Sequence, residues 1–137
     1  MDSAKQLTDR SAAIILFAHG SAVEEANEGV RELARRIERQ AGYAHVRASF
    51  LGPGQPELGP AIAEAIAGGF NRIVVVPYFL TLGIHLRRDL PRLVAAEKEK
   101  HPGLEILVGR SLEDHSEMAS LVLSRIRDIT EGVRVSP

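Results

Sequence analysis

Two hydrophobic rhythms alternate along this chain. Four short, dense apolar runs, at residues 13–18, 46–51, 72–79 and 104–108, have the composition of buried β-strands. Between them apolar residues recur every three or four positions, as in helices with one buried face. Such helices are predicted over 23–40, with Ala26, Val30, Leu33, Ala34 and Ile37 inward, and over 57–67, with Ile62, Ala65 and Ile66 inward. A third ends near Lys100 and buries Leu90, Leu93 and Val94. A fourth, over 116–130, sets Met118, Leu121, Val122, Ile126 and Ile129 on one stripe. Gly42, Gly68-Gly69 and His101-Pro102-Gly103 supply the stops, while Gly52-Pro53-Gly54-Gln55-Pro56 forces a loop.

Strands joined by helical crossovers of this length pair in parallel, through right-handed βαβ units. The pattern therefore predicts one α/β domain of flavodoxin-like type over 13–131, a four-stranded parallel sheet with helices on both faces. Polar tails are expected at 1–12 and 132–137. The run at 72–79 is the most apolar and belongs at the centre of the sheet. A sheet this small has two edges to cover, and self-association into a homodimer would cover them.

Composition narrows the chemistry. The chain has 137 residues, 45% of them hydrophobic, enough for one core that needs no disulfide or structural metal. It has no cysteine, so thiolate metal sites are excluded, and any ion must be held by histidine, carboxylate or backbone oxygen. The 17 basic and 18 acidic residues are interspersed, which argues against a nucleic-acid partner. No apolar run approaches a membrane span, and the first residues lack the apolar centre of a signal peptide, so a cytoplasmic location is expected.

Two histidines stand just beyond predicted strands. His19 follows Ala13–Ala18 and opens into Gly20-Ser21, and His85 lies in the loop after Phe79, within Thr81-Leu82-Gly83-Ile84-His85. Open parallel sheets bind ligands at the carboxyl ends of their strands. Two neutral imidazoles on that rim suit a divalent transition ion. His115, after the fourth strand, is a third candidate, although Asp114 and Ser116 around it also read as a helix start. His45 and His101 are assigned to solvent or local hydrogen bonds. Asp89 reads as a helix cap, Glu24-Glu25 as acidic residues favouring a first helical turn, and Glu97-Lys98-Glu99-Lys100 as a solvated face. The loop after the first strand is neither a Walker loop nor a dinucleotide fingerprint, and no nucleophile elbow occurs. Ala18 stands where a histidine phosphatase would carry arginine before His-Gly, which disfavours a phosphate-ester enzyme.

The segments His19-Gly20-Ser21, Glu25-Ala26-Asn27, Ser49-Phe50-Leu51 and Pro56 with Ala65-Ile66 resemble the small CbiX/SirB chelatases. The most specific match is Val76-Pro77-Tyr78-Phe79-Leu80-Thr81-Leu82-Gly83-Ile84-His85 with Asp89-Leu90-Pro91, and the resemblance runs from about Ala13 to Arg127. It implies a homodimeric, ATP-independent enzyme that inserts Co2+, Fe2+ or Ni2+ into sirohydrochlorin or a related tetrapyrrole, in cobalamin or siroheme biosynthesis. The ion is substrate, and no permanently bound cofactor is implied. His19 and His85 would handle the ion and the pyrrole protons. Phe79, Leu82 and Ile84 would face the macrocycle, and Gly20 and Ser21 would receive its carboxylates. Two positions depart from the pattern: Gly52 replaces a glutamate and Ala22 an arginine. Glu57 or His115 could stand in for the lost carboxylate. The alternative is a carrier that binds metal or tetrapyrrole without turnover.

Overall fold

The computed structural model describes residues 11–132. The tails expected at 1–12 and 132–137 lie outside the described residues, apart from Ser11, Ala12 and Gly132. Four strands and four helices alternate: β1 (Ala13–Ala18), α1 (Glu24–Ala41), β2 (Val46–Phe50), α2 (Leu58–Ala67), β3 (Arg72–Pro77), α3 (Ile84–Lys100), β4 (Glu105–Val108) and α4 (Glu117–Thr130). The strands form one parallel sheet in the order β2-β1-β3-β4, so β1 and β3 are central.

Side-chain alternation assigns the two faces. Ala13, Ile15 and Phe17 of β1 share a face with Ile73 and Val75 of β3 and Ile106 of β4. Against it pack Leu58, Ala61, Ile62 and Ala65 of α2 and Leu86, Leu90 and Val94 of α3, forming the main core. On the opposite face α1 lays Val30, Leu33, Ala34 and Ile37 over β1 and β2, against Leu16 and Val46.

Several boundaries move. β2 ends at Phe50 and β3 at Pro77, because the chain turns at Leu51 and Tyr78 to form rim loops. α3 starts at Ile84, so His85 lies in its first turn rather than in a loop, and Asp89 is helix interior rather than a cap. Leu93 is partly exposed; the inward row of α3 is Leu86, Leu90, Val94 and Glu97. Glu97 is therefore buried, with Lys100 Nζ 3.4 Å and His101 Nε2 3.8 Å from its carboxylate. A solvated run was expected there, but three- and four-residue spacing carries position 97 onto the core side. His45 is buried as well, its ring 5.1 Å from that of Phe70 and its Nε2 without a hydrogen-bond partner.

The largest departure concerns α4. Its stripe of Met118, Leu121, Val122, Ile126 and Ile129 does not meet the core, and none of its residues is buried. On the face that α1 covers, Val76 of β3 packs against the same cluster as Leu16 and Val46. Leu107 is 40% exposed there. Among the described residues no helix is long and apolar enough to cross a membrane.

Candidate functional site

The candidate site is built where three strands end together. Tyr78 donates its N–H to Phe17 O at 2.8 Å. Leu51 donates to Ala18 O and Gly52 to His19 O, both at 2.9 Å. The segment leading from β1 is thus held between those leading from β2 and β3. Gly20 permits this approach. Its φ is +91°, and a Cβ there would stand 2.1 Å from Pro53 O. Only a residue without a side chain fits.

Asn27, on the first turns of α1 and 2% exposed, fastens the loop from the other side. Its Oδ1 accepts the Ser21 N–H at 2.9 Å, and its Nδ2 donates to Ser21 O at 2.8 Å and Glu24 Oε1 at 3.1 Å. The Glu24 carboxyl is held below its ordinary value by Arg31 first and by Asn27 second. Ser21 Oγ in turn accepts the Val23 N–H at 3.0 Å. The Ser21 N–H expected to receive a substrate carboxylate is therefore already engaged, which leaves its hydroxyl proton and the neighbouring Gly20.

Across this loop stands the segment after β3. Phe79 meets Phe17 edge-on at 6.3 Å on one side and the exposed ring of His19 at 6.5 Å on the other. It joins the core to the first histidine. Its carbonyl accepts the Leu112 N–H at 3.0 Å, tying the β4–α4 connection to the same rim. Glu113 secures the turn before α3: its Oε1 accepts from Leu82 N at 3.1 Å and from the Ser111 hydroxyl at 2.8 Å. The Ser111 bond first, and the Leu82 bond after it, lower the Glu113 pKa. Arg87 closes the clamp, donating to Leu82 O at 3.0 Å with Glu113 3.7 Å away. A cleft of about 420 Å³ lies alongside, bounded by Leu82, Leu90, Val94 and Val108.

The predicted residues fall into two groups. His19, Phe79, Leu82, Ile84 and His85 occupy this one rim, with both histidines exposed and Ile84 71% exposed. His115 is also exposed, but its Nδ1 accepts the Glu117 N–H at 3.0 Å, capping α4. That interaction takes the place of the side-chain cap expected from Ser116 or Asp114. Among the described residues no three His, Asp or Glu side chains gather closely enough to hold an ion. An ion taken by either rim histidine would keep most of its coordination sphere open, as transfer to another ligand requires. The site also has room for the carboxylate that Gly52 lacks, since a Cβ there would meet His19 O at an ordinary 3.4 Å. The clasping roles of Asn27, part of the Glu25-Ala26-Asn27 segment, and of Glu113, a carboxylate expected near the rim, were not foreseen from the sequence. Neither role carries a local signal, because the partners lie in the preceding loop or in a distant one.

Comparison with known proteins agrees with this architecture. The chain is 32% identical to the sirohydrochlorin cobaltochelatase of Methanopyrus kandleri over 87 residues, 64% of this chain and 61% of that protein. It is 29% identical to the chloroplastic sirohydrochlorin ferrochelatase of Arabidopsis thaliana over 114 residues, 83% of this chain and 51% of that one. The chain thus spans between half and two thirds of the length of these relatives. The crystal structure of a CbiX protein from Marinobacter aquaeolei VT8 superimposes with a TM-score of 0.76 at 25% identity, covering 88% of this chain and 98% of that one. The CbiX family model matches residues 13–129, and the chain belongs to that family.

Proposed function

We propose that this chain is an ATP-independent chelatase that inserts Co2+ or Fe2+, with Ni2+ as a third candidate, into sirohydrochlorin or a related tetrapyrrole. It would act as a cytoplasmic homodimer. The observation that supports the reading is exposed His19 just past β1, with the Phe79 ring between it and the core, together with exposed His85 in the first turn of the helix that follows β3. The names of the two chelatase relatives support it.

Insertion must bring an incompletely coordinated ion to four pyrrole nitrogens and remove two N–H protons. An imidazole nitrogen has one lone pair, so each histidine can hold the ion or accept a proton, but not both at once. Two histidines on separate segments let one present the ion while the other takes the first proton, and the histidine that has released the ion can take the second. Phe79, Leu82 and Ile84 give the macrocycle an apolar bed. The Ser21 hydroxyl, Gly20 and the start of α1 lie where its carboxylates would be received. Release of the ion is driven by the four-nitrogen chelate formed in the product.

Gly52 and Ala22, where the family pattern has glutamate and arginine, favour one other reading, a carrier that binds metal or tetrapyrrole without turnover. Anaerobic insertion of Co2+ and Fe2+ into sirohydrochlorin, followed by absorbance, separates the two. Acceleration by wild type that His19→Ala or His85→Ala reduces at least ~100-fold, within the range of general acid–base contributions, is the chelatase result. Stoichiometric binding with insertion at the uncatalysed rate would establish the carrier instead.

A further inference from the structure

We infer that the cleft between α3 and β4 is a second ligand site, separate from the histidine rim, for an elongated apolar molecule with a carboxylate at each end. The inference goes beyond the chelatase reading and does not depend on it.

The sequence of two elements makes the cleft. On one flank of α3, Arg87, Pro91, Ala95 and Lys98 recur at three- and four-residue spacing, and all four line it. Pro91 and Ala95 have short side chains. Opposite them β4 ends at Val108 and is followed by Gly109, which has none. The space left between helix and strand is about 420 Å³. Buried Leu90 and Val94 floor it, and it opens to water at Pro91, Ala95 and Val108. β4 is an edge strand, so no further strand among the described residues closes it. Its volume falls within the range of small-molecule sites, about 300–1,000 Å³.

The walls carry one sign of charge. Arg87 and Lys98 from the helix and Arg110 from the segment after β4 line the cleft, and no carboxylate does. None of the three acids of α3, Asp89, Glu97 and Glu99, belongs to the lining. Glu113 comes within 3.7 Å of Arg87 from outside it, and already accepts from Leu82 and Ser111. Arg87 is partly engaged, its Nε donating to Leu82 O at 3.0 Å. Lys98 and Arg110 are exposed, and among the described residues neither makes a hydrogen bond or an ion pair.

These walls select the occupant. A small hydrated anion gains nothing from Leu90 and Val94, and a neutral oil gains nothing from three cations. A molecule with an apolar body and anionic ends uses both. The cations also set its shape. Arg87 and Arg110 stand at the rim end of the cleft, beside Leu82 and Ser111, and Lys98 lies in the last turns of α3. Arg87 and Lys98 are eleven positions apart, about 17 Å along the helix axis. Decanedioate is shorter than that separation, which leaves each flexible side chain room to fold over a carboxylate.

The test titrates the full nitrogen-labelled chain with decanedioate, followed by heteronuclear NMR. Saturable shifts at the amides that flank the cleft, within 87–98 and 107–111, are expected with a Kd at or below about 1 mM. Neutral decanediol should bind at least about tenfold more weakly. Lys98→Glu/Arg110→Glu should weaken decanedioate by at least about tenfold, and both positions are exposed, so the fold is kept. Ala95→Phe, also at an exposed position, fills the cleft and should abolish the shifts with circular dichroism unchanged. No saturable shift, shifts gathered on the exposed stripe of α4, or a diol that binds as tightly as the dianion would overturn the site. Binding that survives the charge reversals or Ala95→Phe would do the same. Full displacement of decanedioate by sirohydrochlorin would give the cleft to the macrocycle and remove the separate site. No metal enters the titration, so failure of this site and failure of the chelatase reading are seen separately.

Discussion

At the scale of single residues, two atoms of Asn27 fix the Ser21 peptide and, through it, the backbone that carries His19. Replacing Nδ2 by oxygen in Asn27→Asp would turn a carboxylate against Ser21 O and the Glu24 carboxylate, three acceptors with no proton among them. Chemical denaturation should show a loss of about 1–3 kcal/mol, the cost of leaving buried polar groups unpaired. Stability equal to wild type would mean that the clasp contributes nothing. Gly52→Glu tests the opposite direction. Its Cβ has ordinary room beside His19 O, so the variant places a carboxylate next to the first rim histidine. The expected result is a several-fold tighter Co2+ interaction by calorimetry, lost again in Gly52→Glu/His19→Ala. The place of His19 was legible because a strand pattern fixes where its next residue emerges; His85 was expected in a loop and lies in the first turn of α3. The role of Asn27 was not: an asparagine in a first helical turn looks the same whether it faces water or closes a loop.

At the scale of elements, all four strands and their order of connection were readable to within two residues, because dense apolar runs admit few alternatives. The helices show where pattern gives out. Glu97 was read as surface from its charged neighbours, yet its place in the row Leu86, Leu90, Val94 decides its burial. His45 stands just before β2 and was assigned to solvent or local hydrogen bonds, but the ring of Phe70, from the α2–β3 connection, packs against it and its Nε2 has no hydrogen-bond partner. Burial first, and Arg47 second, lower the His45 pKa below its ordinary value. The folded state therefore favours the neutral ring. This contribution is complete above the unfolded value of about 6.5 and is lost as pH falls below it, because the unfolded chain takes up the proton more readily. Wild type should accordingly lose more Tm between pH 7.5 and 5.5 than His45→Phe, which keeps a ring against Phe70 and removes the orphaned Nε2. Parallel Tm profiles for the two proteins would show that His45 is not the acid-sensitive group.

At the scale of the whole molecule, the apolar stripe of α4 stands apart from the core of its own chain. The α4 stripe was fully legible as a sequence pattern. Its partner was not, since periodicity shows that a face must be buried without showing by which chain. The connection from β4 to α4 begins on the rim of the candidate site, where Gly109 donates to Val75 O and Leu112 to Phe79 O. If the proposed homodimer is the working unit, activity per chain should fall on dilution in step with the dimer fraction measured by light scattering. Activity per chain that stays constant into the monomeric range would show that one rim suffices.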